Sequence, residues 1–273
     1  MSRITEAFAN GKAFIPFITA GYPDLETTRR VILAAQEAGA DLIEIGIPFS
    51  DPTAEGPVIQ NANVCALKGG VTTDKIFEMV KKMQDGGEVT VPLVFMTYAN
   101  VVYAFHMHGS GPASEDTAGG IRLFCAGCRE SGADGLILPD VPFEEKDEFD
   151  AVCKEYDLEL ISLIAPTSEN RIKMIAAKAG GFIYVVSSLG VTGVRRDITT
   201  DISAITAKIR EVTSVPCAVG FGISTPQQAK RMSDQSDGVI VGSAIIRLIE
   251  KYGRNAAPQV GEYIRQMKSA LRE

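Results

Sequence analysis

A chain of 273 residues with 45% hydrophobic and 22% charged side chains can build a substantial core, which excludes global disorder. Its net charge of −7 argues against binding a nucleic acid through its phosphates, while leaving room for one small phosphate. No apolar run is long enough to span a bilayer, and the start, MSRITEAFANGK, lacks the apolar core of a signal peptide; with five scattered cysteines, a cytoplasmic protein with free thiols is expected.

In chain order, residues 2–10 predict a short amphipathic helix with Ile4 and Phe8 on one face, suited to closing the end of a barrel. AFIPFITAG (13–21) reads as a strand, broken by Tyr22-Pro23-Asp24, and helical spacing follows from Leu25 to Ala40. DLIEIGI is the second strand, helical stretches cover Val58 to Lys68 and Thr73 to Gln84, and VPLVFMTY (91–98) is the third strand. Apolar runs at 132–140, 158–166, 181–188, 215–222 and 237–243 alternate with helix-like segments at 143–156, 168–179, 200–212 and 225–234, and an amphipathic helix at 255–271 closes the chain. These are eight strand-then-helix units, which fit an α/β fold of the closed (β/α)8 TIM barrel type, one domain over 1–273, with an N-terminal helix and an insertion after the third strand. An open doubly wound sheet is the alternative; the lack of a Gly-x-Gly-x-x-Gly turn after the first strand counts against it. The insertion, AFHMHGSGPASEDTAGG (104–120), is rich in Gly, Ser and acid and is expected to be poorly ordered without a partner or ligand.

Two acids stand out. Glu44, flanked by Ile43 and Ile45 in a buried strand, is expensive unless paired or used, and Glu55 follows on the next loop, past two prolines. A strand end and its loop can bring both to one pocket, where they divide acid and base work. Equally, Glu44 can be a hydrogen-bonded strand terminus and Glu55 a residue beside a helix N-cap. At the far end of the barrel order, GFGIS (220–224), GSAI (242–245) and GVTG (190–193) supply glycines that admit an anion to backbone N–H groups, and a helix starting at Ser243 aims its positive end at the same place. Loops after strands seven and eight are the recurrent phosphate site of such barrels, so a phosphoester substrate is expected.

These residues are familiar as a set. FIPFITAGYP (14–23), IEIGIPFSDPTAEGP (43–57) with IQNA (59–62), TYAN (97–100), LPDVP (138–142), SSLGVTG (187–193), GFGIS and GSAI make the chain similar, over nearly its whole length, to the tryptophan synthase alpha subunit. The resemblance implies cleavage of indole-3-glycerol phosphate to indole and glyceraldehyde 3-phosphate, with no cofactor, in tryptophan biosynthesis, and a pyridoxal-phosphate beta subunit as partner. It assigns Glu44 as the acid-base group and puts Glu55 where the family usually has aspartate; Thr53 replaces an apolar residue usual there. Phe17, Ile59 and Tyr98 match the indole pocket or its edge, Tyr184 the tyrosine near the catalytic glutamate, Thr192 the lid threonine, and Gly193, Gly222, Gly242 and Ser243 the phosphate contacts. Phe17 and Ile59 also suit an ordinary core, and Tyr184 a buried tyrosine with one backbone partner.

Other readings stay open. The insertion can enlarge, alter or block the docking of a beta subunit, which leaves a stand-alone indole-releasing lyase; Glu55 and Thr53 can instead mark a weakened subunit that only activates its partner. A different phosphate-binding barrel enzyme is a further reading, but a Schiff-base aldolase needs a strand lysine and none is present in the strands as read. His106 and His108 with Cys125 and Cys128 provide four metal-ligand types, at a spacing that fits no standard zinc site; two thiols on one helix face is the simpler reading.

Overall fold

A computed structural model describes residues 2–106, 117–187, 201–220 and 222–272, with backbone only for Thr117 and Ala118. The strands are β1 (Ala13–Thr19), β2 (Ile43–Gly46), β3 (Leu93–Met96), β4 (Gly135–Ile137), β5 (Glu159–Leu160), β6 (Ser162–Ile164), β7 (Ile183–Val186), β8 (Cys217–Gly220) and β9 (Gly238–Val241). Every pairing is parallel, in the order β5-β4-β3-β2-β1-β9-β8-β7-β6. The two ends of that order are consecutive in the chain, so the sheet closes as a TIM barrel of eight staves.

The stave read from sequence as one strand over 158–166 is thus divided at Ile161. Its first half pairs with β4, and the Ile161 N–H still donates to the Leu136 carbonyl at 2.9 Å; its second half has passed to β7. The stagger that closes a barrel requires such a transfer somewhere. All seven residues of β1 are buried, as expected for a sheet covered on both faces.

Helices start where short polar side chains reach back to the backbone. Asp24 accepts from the Thr27 N–H at 2.7 Å ahead of the helix Leu25–Glu37, and Thr225 and Gln228 form a capping box for Pro226–Ser233. Pro57 opens the helix Pro57–Lys68 at the position where its missing N–H costs nothing. The expected N-terminal helix is shorter than 2–10, covering only Arg3–Glu6. Ile4, fully buried, sits close to Gly135 and Gly181 at the N-terminal end of the barrel, and the Phe8 ring lies 5.7 Å from that of Phe182, so both side chains expected to close this end pack there although Phe8 lies past the helix.

The segment after β3 departs from the expectation. A helix, Ala99–Tyr103, follows β3 directly, and the next helix, Thr117–Ser131, begins inside the stretch read as an insertion. Phe105 is 6% exposed, with its ring 5.6 Å from Phe77 and 5.5 Å from Phe124. A Cβ on Gly120 would lie 2.1 Å from the Tyr103 carbonyl oxygen, so glycine is what lets the two helices approach. Both ends of the 104–120 stretch therefore belong to the packed body. The expectation of poor order falls on 107–116, which lies outside the described residues. Phe105→Ala removes an aromatic from this cluster and should cost about 3 kcal/mol of stability, read as a lower urea midpoint; an unchanged midpoint would show that Phe105 is not part of the core.

Candidate active site

Side chains alternate along a strand, so β2 sends Ile43 and Ile45 toward the helices and Glu44 with Gly46 into the barrel. Phe17 of β1 is in register with Glu44 and faces the same way. Its ring occupies the space above Gly46, where a Cβ would come within 2.5 Å of it. Glu44 is 1% exposed, and neither carboxylate oxygen has a hydrogen-bond partner among the described residues. Burial, and secondly the nearby Glu55, push its pKa up to about 8. The sequence reading of Glu44 as a hydrogen-bonded strand terminus is excluded by this geometry.

Glu55 arrives from the loop after β2 and is 4% exposed. The Tyr98 hydroxyl donates to Glu55 Oε2 at 2.6 Å and accepts from the Ala54 N–H at 3.0 Å, so one phenol holds the loop and its acid together. Burial raises the Glu55 pKa to about 7; the Tyr98 hydrogen bond opposes the rise, and Asp140 adds to it. Tyr98 itself is the N-cap of Ala99–Tyr103, whose first N–H is taken by both Asp140 oxygens at 3.1 Å. Burial and the charge of Glu55 drive the Tyr98 phenol above its usual range.

One small cavity brings Glu44 and Glu55 together with Phe17, Ile59 and Tyr184 on one side and Gly222, Gly242 and Ser243 on the other. Tyr184 projects from β7 over Gly220, where a Cβ would come within 2.5 Å of the hydroxyl. Burial, with Glu44 and then Glu55, keeps this phenol protonated well past its normal range. Gly222 has φ +82°, a conformation that favours glycine, and Gly242 is the N-cap of the helix Ser243–Tyr252. The positive end of that helix faces the cavity, opposite the acids in character and suited to an anion.

Of the residues read from sequence, Thr192 and Gly193 lie outside the described residues, and Tyr98 is hydrogen-bonded to Glu55 and does not itself line the cavity. Thr53 lines a neighbouring cleft, not the cavity that holds the acids. Three lining residues were missed: Met96, Ile223 and Ile240. Pleat parity was the available signal for two of them, since Met96 is in register with Gly46, and Ile240 precedes Gly242 by two on β9. Ile223 follows the glycine of an irregular loop and carried no such signal.

The metal-ligand types do not assemble among the described residues. Cys125 and Cys128 are buried on the helix Thr117–Ser131, with Cys125 Sγ 3.9 Å from Cys153 Sγ. No group of three or more His, Cys, Asp or Glu among the described residues is placed to hold a metal ion; His108 lies outside them. None of the nine described strands contains a lysine.

The arrangement supplies two buried carboxyl groups that change protonation near neutrality, in an apolar pocket ending in an anion cradle. Comparisons with known proteins bear on the chain as a whole. The family model described as tryptophan synthase alpha chain matches residues 5–272. A tryptophan synthase alpha chain from Lactiplantibacillus plantarum is 47% identical over 272 residues, covering 99% of this chain and 97% of that one. Another, from Dehalococcoides mccartyi, is 42% identical and covers 99% and 100%. Among solved structures, tryptophan synthase subunit alpha from Legionella pneumophila superposes with a TM-score of 0.83 at 33% identity, covering 100% of this chain and 99% of that one. Tryptophan synthase from Mycobacterium tuberculosis gives 0.85 at 28% identity, with coverage of 100% and 99%. Similarity that runs from end to end, in sequence as in backbone, leaves one conclusion: the chain belongs to the tryptophan synthase alpha chain family.

Proposed function

We propose that Glu44 and Glu55 carry the chemistry of this carbon–carbon lyase, which cleaves indole-3-glycerol phosphate to indole and glyceraldehyde 3-phosphate. Indole leaves poorly until its C3 is protonated, and the adjoining side-chain hydroxyl must lose its proton as the C–C bond breaks. Glu44, held neutral by burial, gives its proton to C3. The ring then carries positive charge at its N–H, and ionised Glu55 accepts that hydrogen bond. As the C–C bond breaks, its electrons return to the ring, the hydroxyl carbon becomes the aldehyde, and the hydroxyl proton passes to the Glu44 carboxylate, restoring the starting state. The phosphate sits at Gly222, Gly242 and Ser243, which fixes the scissile carbon beside Glu44.

The observation that carries this reading is the carboxylate of Glu44, buried without a hydrogen-bond partner among the described residues in the cavity that ends at the helix N-terminus. Tyr98 supports the role of Glu55. Glutamate reaches one methylene further than the aspartate usual in the family, and the 2.6 Å hydrogen bond from Tyr98 fixes where the longer arm puts its carboxylate. The pocket has a partner for the longer side chain, which favours an active enzyme over a silent subunit.

A beta subunit is the proposed protein partner, as the solved Pyrococcus furiosus tryptophan synthase complex, 31% identical, suggests. The helix Pro57–Lys68, which follows the Glu55 loop, leaves Val64 and Leu67 exposed for such a contact. Indole release measured with and without a cognate beta subunit tests this: stimulation supports docking, and identical rates together with no co-elution count against it.

Glu44→Gln should lower kcat by about 10²-fold or more with little change in the affinity for a non-reacting substrate analogue; substantial remaining turnover would remove Glu44 from its role. The pH profile follows from the two carboxyls. Glu55 must be ionised and Glu44 protonated, so activity should peak between about 7 and about 8, falling below as Glu55 gains a proton and above as Glu44 loses its own. Glu55→Gln should flatten the acid limb, and an acid limb of unchanged position in that variant contradicts the assignment. Folding stability has its own signature. The folded state holds the Glu44 proton up to about 8 while a free glutamate releases it near 4.5, so burial of Glu44 costs stability progressively as pH rises between those values. Glu44→Gln should therefore gain melting temperature relative to the parent across that window, and a constant difference would show that the carboxyl is not neutral when folded.

A further inference from the structure

Beside the catalytic cavity lies a larger cleft of about 500 Å³ that shares Met96 and Tyr184 with it. It reaches outward to residues of the helices Lys146–Glu155 and Glu169–Ala177, next to the strand break at Ile161. Pro142, Phe143, Leu163 and Ile175 give it apolar walls, and among the described residues that line it are two cations, Lys146 and Arg171, and no acid. In a chain of net charge −7, that sign is unusual.

Arg171 is already neutralised by a bidentate pair to Glu144, at 2.6 and 3.0 Å. Lys146 is not. It is only 7% exposed, and its Nζ donates to Ser162 Oγ at 3.0 Å and to the Lys178 carbonyl at 3.2 Å. Its nearest carboxylate, Asp150, is 3.9 Å away, and the other oxygen of that carboxylate is 2.6 Å from Lys154. One carboxylate thus serves two ammonium groups, and the buried one has the weaker share. A buried charge so poorly matched is costly, and burial already moves the Lys146 pKa below the ordinary lysine value. The cleavage assigned to Glu44 and Glu55 makes no use of this group.

We propose that the cleft is a second ligand site, which takes a small molecule with one carboxylate on an apolar, aromatic-sized body. The carboxylate meets the Lys146 ammonium and the Ser162 hydroxyl, and the body lies against Pro142, Phe143 and Ile175. Carboxylate supplies the charge that Asp150 only half provides, and an aromatic ring fits the apolar wall of Pro142, Phe143, Leu163 and Ile175. Because Met96 and Tyr184 are common to both spaces, the occupant touches the wall of the catalytic cavity without entering it. The site stands on Lys146 and its surroundings and does not depend on the roles given to Glu44 and Glu55.

Calorimetric titration of the full chain with 3-phenylpropionate and with its neutral amide tests the site. The acid should bind with one-to-one saturation, and the amide about tenfold more weakly or worse. Lys146→Met, which keeps length and removes charge, should lose about tenfold in affinity for the acid while cleavage of indole-3-glycerol phosphate continues. Thr167→Trp, on the exposed rim of the cleft, should weaken binding by obstruction and decides the matter if Lys146→Met melts early. No binding at millimolar acid, equal affinity for acid and amide, or affinity unchanged in both variants would overturn the proposal. The last outcome with displacement by a substrate analogue would place the acid in the catalytic cavity instead.

Discussion

The structure is arranged around one unfavourable act, the withdrawal of the Glu44 carboxyl from water. A carboxylate 1% exposed, with no hydrogen-bond partner among the described residues, survives because it is neutral over most of the working range. Its neighbours are chosen to keep it so. Phe17 and Tyr184 present apolar or protonated groups, Glu55 adds negative charge, and no described cation lines the cavity. The same cavity becomes electropositive only at its far end, where a helix begins at Ser243. Proton chemistry and anion binding are thereby kept apart along one axis of a small space.

The barrel was legible because its signals are local and repeated. Eight apolar runs alternating with helical periodicity leave little freedom, and all eight appear as staves. Less legible were features that depend on who lies alongside whom. The division of the 158–166 stave at Ile161 is a property of closure, invisible in a run of apolar residues. Phe105 looked like part of a polar excursion because composition is averaged over a window, whereas its burial is decided by Phe77 and Phe124, brought in from two helices.

The site divides in the same way. Glu44 could be singled out from its flanks alone, and the glycines at 222 and 242 from their places after the last two strands. The function of Tyr98 could not, since what matters is its reach across to Glu55 and Ala54, more than forty positions earlier in the chain. Met96 and Ile240 were within reach of a strict reading of pleat parity. Lys146 carries no mark in the sequence at all, because a lysine at the start of a polar helix is normally solvated; it is buried because that helix packs against β5 and its ammonium reaches Ser162 of β6.

Tyr98 has a further consequence. Its backbone begins the helix Ala99–Tyr103, which leads through Phe105 toward the segment before Thr117, while its hydroxyl grips the loop that carries Glu55. The two loops on this rim are therefore geared together through a single rigid ring. Pressure on either is transmitted to the other as a change in the length or angle of one short hydrogen bond, and the acidity of Glu55 follows that bond. A molecule that touches either loop at the edge of the barrel therefore acts on the same hydrogen bond that helps to set the acidity of Glu55.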